Sequence, residues 1–143
     1  MLKYDDLPEY CRDFLSYLET IQNRSIQTVN EYYYDIRMFL RFVKILKFNV
    51  KDEFDDINVK DIQVSVLEKL TLSDFYAYMT FLSRNRKASS KTRARKVASL
   101  RSFYKYLFSK VKLINVNPSL ELETPKHKKG LPRYLNLEES TKL

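Results

Sequence analysis

Ser89-Ser-Lys-Thr-Arg-Ala-Arg-Lys-Val-Ala-Ser-Leu-Arg-Ser-Phe-Tyr-Lys-Tyr-Leu-Phe-Ser-Lys110 is the stretch on which the reading of this chain turns. At about 100° per residue, Val97, Leu100, Tyr104, Leu107, Phe108 and Val111 fall within one arc of about 100°, the width of an amphipathic core stripe. The opposite arc carries Lys91, Arg95, Ser99, Ser102, Lys105, Tyr106 and Ser109, with Lys96 and Arg101 at its flanks. Ser89 or Ser90 supplies a hydroxyl suited to cap the helix start. Cations alternating with small hydroxyls let such a face approach a phosphate backbone or enter a groove without bulky obstruction.

Outward from this helix the charge is unevenly divided. Phe75 to Leu120 contains 11 basic residues and no Asp or Glu, whereas residues 1–74 hold 10 basic and 14 acidic side chains, net −4. Ordinary solvated surfaces mix both signs. A long acid-free stretch is what neutralisation of phosphates, with release of their counterions, favours.

The remaining pattern is also of period 3.6, with no alternating strand, and predicts an all-α chain. The first helix is expected from Asp5 or Asp6, with Pro8 in its first turn and Leu7, Cys11, Phe14, Leu18 and Ile21 inward. Cys11 reads as a small core residue. Ser25 caps a second helix to about Leu46. Its core face reads Val29, Tyr32, Tyr33, Ile36, Phe39, Leu40 and Val43, and its polar face Gln27, Asn30, Glu31, Tyr34, Arg37 and Arg41. Tyr34 stands out there, because an aromatic on a polar face wants a partner. Residues 47–70 read as a long acidic connection, with short helical turns at Val59–Ile62 and Val66–Leu70. Thr71 and Asp74 form a capping-box variant for a third helix to about Arg84. That helix is expected to bury Leu72, Phe75, Tyr76, Met79 and Leu82. Asn117-Pro118 ends the helical region. Residues 119–143 have linker composition and then the start of a further helix at Asn136, so the expected division is 1–118 helical domain and 119–143 linker leading into an absent domain.

Composition excludes much. The 143 residues carry one glycine, one cysteine and one histidine, with 26 Lys+Arg against 18 Asp+Glu, net +8. One glycine forbids a Gly-rich phosphate loop, and its position at Gly130 forbids the glycine-bearing signatures of the common RNA-binding modules. One cysteine forbids an internal disulfide, and with one histidine it excludes the usual zinc sites, so no metal or cofactor is expected. His127 lies in a Lys-rich stretch and reads as a linker residue. These counts argue against catalysis by this chain alone. There is no apolar run of about 18 residues and no signal-peptide segment, so no membrane is expected and the cytoplasm, at the nucleoid, is the expected location.

Three ordered motifs carry a resemblance. They are Ser25-x-x-Thr28-x-x-x-Tyr32-x-x-Asp35-Ile36-x-x-Phe39-x-x-Phe42, then Ser89-Ser-Lys-Thr92-x-x-Arg95-x-x-Ala98-Ser99-Leu100-Arg101-Ser102-Phe103-Tyr104-x-Tyr106-Leu107, then Asn117-Pro118 with Pro125-Lys126, Leu131-Pro132-x-x-Leu135 and Glu138-Glu139. Together the set resembles the N-terminal core-binding (SAM-like, lambda-integrase-like) domain of tyrosine site-specific recombinases, closest to Xer and phage-type integrases. The resemblance implies a four-helix bundle whose second and fourth helices lie against double-stranded DNA, other recombinase protomers as partners, and strand cleavage by a following domain. It places Thr28 and Tyr32 in the second-helix motif and Thr92, Arg95, Ser99 and Arg101 in the fourth, although Tyr32 also falls on the core face. The acidic connection at 47–70 is longer than in typical Xer proteins.

The expected DNA contacts are therefore Gln27, Thr28, Tyr34, Lys91, Thr92, Arg95, Lys96, Ser99, Arg101, Ser102 and Lys105, with no catalytic residue and a monomer when free of DNA. The expected role is the DNA-binding domain of a recombinase or integrase, chromosome dimer resolution among its uses. The alternative is a helical protein-interaction domain without DNA contact, its acidic segment meeting a basic partner surface.

Overall fold

A computed structural model describes residues 3–126, and among them there are helices and turns but no strand. The elements are α1 (Glu9–Thr20), α2 (Ile26–Phe48), a 3-10 turn (Phe54–Asp56), the one-turn α3 (Val64–Glu68), α4 (Leu72–Arg84) and α5 (Ser90–Lys105), which runs on into a π turn (Tyr106–Lys110). The four long helices are the four expected from periodicity, and α3 overlaps the turn expected at Val66–Leu70 but starts two residues earlier.

Local chemistry sets the helix starts. Ser25 and Ser89 each accept the backbone N–H three residues on and donate their hydroxyl to the side chain of Thr28 or Thr92. Thr71 and Asp74 complete a reciprocal capping box. Three helical segments end by one device: Asn23, Lys87 and Lys112 take a left-handed conformation and the next N–H returns to the carbonyl of Leu18, Leu82 and Leu107. Glycine ordinarily fills such positions, and none of the three is glycine.

α5 is the central helix, packing against both α2 and α4, while α1 packs on α2. Phe39 of α2 stacks on Phe75 of α4 at 5.9 Å and meets Tyr104 of α5 edge-on at 6.5 Å. Phe14 of α1 tilts against Phe103 and Tyr106 at 5.3 and 5.1 Å. Cys11 is fully buried and its thiol is pushed well up by that burial, which fits a core residue.

Because α5 is covered from several sides, its buried face is wider than the stripe expected from sequence. Phe103 and Tyr106 join Val97, Leu100, Tyr104 and Leu107 inside, so about half of the circumference is covered. Tyr106, expected on the outer arc, is buried against α1. Phe108 and Val111, expected inside, are exposed at the helix end. Ile21, likewise expected inside, is exposed beyond the last turn of α1. On α4, Tyr78 is buried in place of Tyr76.

The acidic connection is firmly packed. Ile57, Val59, Ile62, Leu67 and Leu70 are buried, and two core tyrosines donate to its carbonyls, Tyr10 to Ile62 and Tyr104 to Leu67, both at 2.8 Å. Beyond Pro118 the chain still packs on the bundle, with Ser119 and Leu122 buried. His127, Gly130 and the helix start expected at Asn136 lie outside the described residues.

Candidate nucleic-acid interface

Asp35 holds the two helices of interest together. It lies on α2 one and two turns before Phe39 and Val43, in phase with the core, and is only 2% exposed. A carboxylate at such a depth must be paired and hydrogen-bonded. Its Oδ2 accepts from Arg95 at 2.6 Å and from the Ser99 hydroxyl at 2.8 Å, and its Oδ1 from Lys96 Nζ at 2.7 Å. All three donors come from α5. The cluster contains two cations and one anion, and Arg95 keeps 46% of its side chain exposed.

This changes the expected contact set. Lys96 and Ser99 are not on the open surface: they are buried and turned onto Asp35, because α5 meets α2 on that side. Arg95 is shared between Asp35 and solvent. Lys91, Arg101 and Lys105 are exposed, Ser102 is half-buried beside them, and among the described residues no carboxylate lies within ion-pair distance of Lys91, Arg101 or Lys105. Thr92 and Thr28 occupy equivalent capping positions, each half-buried against its serine. Gln27 and Tyr34 are exposed, one face of α2 apart by two turns. The exposed Glu31 falls between them on that face. Tyr34 has the partner its position calls for: its ring contacts Tyr33 at 5.0 Å, and the Arg37 guanidinium lies 5.3 Å from its centre.

The cations of α2 are treated differently. Arg37 pairs with Asp6 at 3.1 Å, Arg41 with Asp55 at 3.7 Å, Lys44 with Asp61 at 2.7 Å and Lys47 with Asp74 at 3.2 Å. Burial pushes the Asp6 carboxyl up, but the Tyr33 hydroxyl and Arg37 outweigh it and hold it below its ordinary 3.8. Tyr33 is pushed up to about 12, by burial first and then by Asp6. Asp74 behaves as Asp6 does: its burial is outweighed by the Thr71 N–H and Lys47, and it too is held below 3.8.

Two grooves flank the ridge formed by Ser102 and Lys105 of α5 and Ser109 of the π turn. One, of about 560 Å³, runs along Arg101 toward Asn117 and Leu120. The other, of about 500 Å³, lies toward Tyr17 and Arg24 at the turn between α1 and α2. Sequence reading placed Asp35 in a motif but gave it no role, and did not single out Arg24. An acid in the apolar phase of α2 was a usable signal for the first. Nothing local marks the second.

Among the described residues no three His, Cys, Asp or Glu side chains gather as a metal site, and no helix is long and apolar enough to cross a membrane. What the fold presents is a helical bundle with one open, uncompensated basic ridge. The chain belongs to the phage integrase N-terminal SAM-like domain family, whose profile matches residues 11–110. It is 45% identical over 144 residues to a tyrosine recombinase XerC of Caldanaerobacter subterraneus subsp. tengcongensis, covering 99% of this chain and 40% of that protein. It is 34% identical over 131 residues to a tyrosine recombinase XerD of Listeria monocytogenes, covering 92% and 38%. Against a tyrosine recombinase XerC of Leptospira interrogans it is 26% identical over 139 residues, covering 97% and 39%. The chain thus spans about two fifths of the length of these relatives. No solved structure matches it.

Proposed function

We propose that this chain is the duplex-binding part of a site-specific tyrosine recombinase, gripping double-stranded DNA while strand breakage and rejoining belong to the full-length protein. The observation that carries this reading is the open row Lys91, Arg101 and Lys105 on α5, which among the described residues has no carboxylate within ion-pair distance, Asp35 being turned onto Arg95 and Lys96. Unpaired cations on a rigid helix exchange their counterions for phosphates at little cost in reorganisation. Arg95 adds its outward donors. Thr92, Ser102, Gln27 and Tyr34 border the ridge and the adjoining face of α2, where short hydroxyl and amide groups reach phosphate oxygens or base edges. Lys96 and Ser99 act one step back, fixing α5 against α2 through Asp35. Other protomers meet this domain on DNA, the free domain is monomeric, and the location is cytoplasmic, at the nucleoid.

The test is duplex affinity as a function of salt. Several phosphate contacts give a linear log–log plot with a slope of about −0.9 per phosphate. A chain that binds no duplex at low salt is not a DNA-gripping domain, and the protein-interaction reading then takes its place.

A further inference from the structure

The groove between the α1–α2 turn and the end of α5 is built from parts about 80 residues apart in sequence, and it has an unusual lining. Arg24 comes from the turn, and Lys105 and Lys110 come from the far end of α5 and its π turn. Among the described residues no carboxylate lines it. Asp13, whose field reaches Tyr106, stays outside the lining. Between the cations stand two neutral donors. Ser102 offers a hydroxyl. The Tyr17 hydroxyl accepts from Gln22 Nε2 at 3.2 Å, so its own hydrogen is left to donate.

Two of the cations have fixed points of attachment. The Arg24 main chain is anchored: its N–H returns to the Leu18 carbonyl at 2.9 Å after Asn23 turns left-handed. Lys110 lies over the Tyr17 ring with its ammonium 5.7 Å from the centre. It ends a π turn, an irregularity that natural helices concentrate at functional positions. Three cations lining one groove, with hydroxyl donors beside them, match a singly charged phosphodiester, which offers two free oxygens and no proton.

We propose that this groove seats a backbone phosphate of the duplex, so that the DNA footprint extends from the α5 ridge over the α1–α2 turn. The inference rests on the duplex-binding reading given above and adds Arg24, Lys110 and Tyr17 to it. A phosphate contact carries no base information, so its loss weakens every duplex alike.

The experiment measures binding of two unrelated duplexes to the 143-residue chain across a salt series, for wild type, Arg24→Ala, Lys110→Ala, the double variant and Arg101→Ala. Arg24 and Lys110 are both exposed, and unchanged circular dichroism confirms that the variants fold. Each single variant is expected to weaken both duplexes roughly three- to tenfold and to lower the salt slope by about 0.9. In a second arm, amide shifts of Arg24 and Lys110 are followed by NMR with duplex and with inorganic phosphate, and only the duplex is expected to saturate them. Wild-type slopes in the double variant, with a reduced slope in Arg101→Ala, overturn the groove but leave the duplex-binding reading standing. Saturation by inorganic phosphate that duplex does not displace overturns it in favour of a small-anion site. A wild type that binds no duplex removes both.

Discussion

On α2, each of Arg37, Arg41, Lys44 and Lys47 ends on a carboxylate contributed by another segment: Asp6, Asp55, Asp61 and Asp74. On α5, Lys91, Arg101 and Lys105 end in solvent, and among the described residues Asp35 is the single acid that pairs with the helix, buried on its inner side. The two rows have similar side chains and opposite fates because 14 of the 18 acids are in residues 1–74, none lies between 75 and 120, and the chain between α2 and α4 wraps over the C-terminal half of α2. The acidic connection supplies Asp55 and Asp61 to α2, Asp6 and Asp74 complete the set, and none of the four reaches Lys91, Arg101 or Lys105. A net charge of +8 is in physical terms one neutralised helix and one open one.

Asp35 gives the largest expected effect, since it is the one acid shared by both helices. Asp35→Ala leaves the buried Lys96 ammonium unpaired and should destabilise the fold by about 3–5 kcal/mol. Urea unfolding measures this, and an unchanged midpoint would mean that the cluster does not clamp α2 to α5. Next comes the comparison itself. Reversing Arg101 and Lys105 together to Glu should weaken duplex binding on the order of 100-fold at low salt, while Arg41→Ala with Lys44→Ala leaves the salt slope within about half a unit of wild type. Equal losses from the two helices would erase the distinction. Arg95→Ala likewise should cost more affinity than Arg41→Ala.

A smaller effect tests the one exposed acid on the α2 face that carries Gln27 and Tyr34. Glu31→Gln removes a like-charge repulsion with phosphate and should tighten duplex binding about two- to fivefold, read by anisotropy titration. Weaker binding would place that face away from DNA. The smallest effect is on stability against pH. Asp6 and Asp74 have folded pKa values below 3.8, so each favours the folded state above that value. Their contribution disappears as pH falls through the lower folded values. Thermal melts should show a modest loss on acidification below about pH 4, flatter in Asp6→Asn with Asp74→Asn. A drop of equal size in that variant would assign the acid sensitivity to other groups.

Much of the fold is legible in short windows. Ser25, Thr71 and Ser89 mark helix starts because capping is settled by a hydroxyl and the N–H three residues on. The inward phase of Cys11, Phe14 and Leu18, or of Ile36, Phe39 and Val43, follows from helical geometry alone. The candidate interface is legible only in part. Lys91, Arg101 and Lys105 emerge from spacing. Lys96 and Ser99 do not separate from them, because spacing measures the angle around one helix and not how many neighbours cover it.

Sequence by itself determined the helical class, the caps, the core phases and the segregation of acid from base, since each depends on residues within a turn or two or on simple counts. Tertiary structure alone decided which cations stay open. Pairing depends on distances between Asp35 and α5, or between Asp61 and Lys44, that only folding creates. The groove that joins Arg24 to Lys105 and Lys110 exists for the same reason: charge acts through space, and chain separation does not measure it.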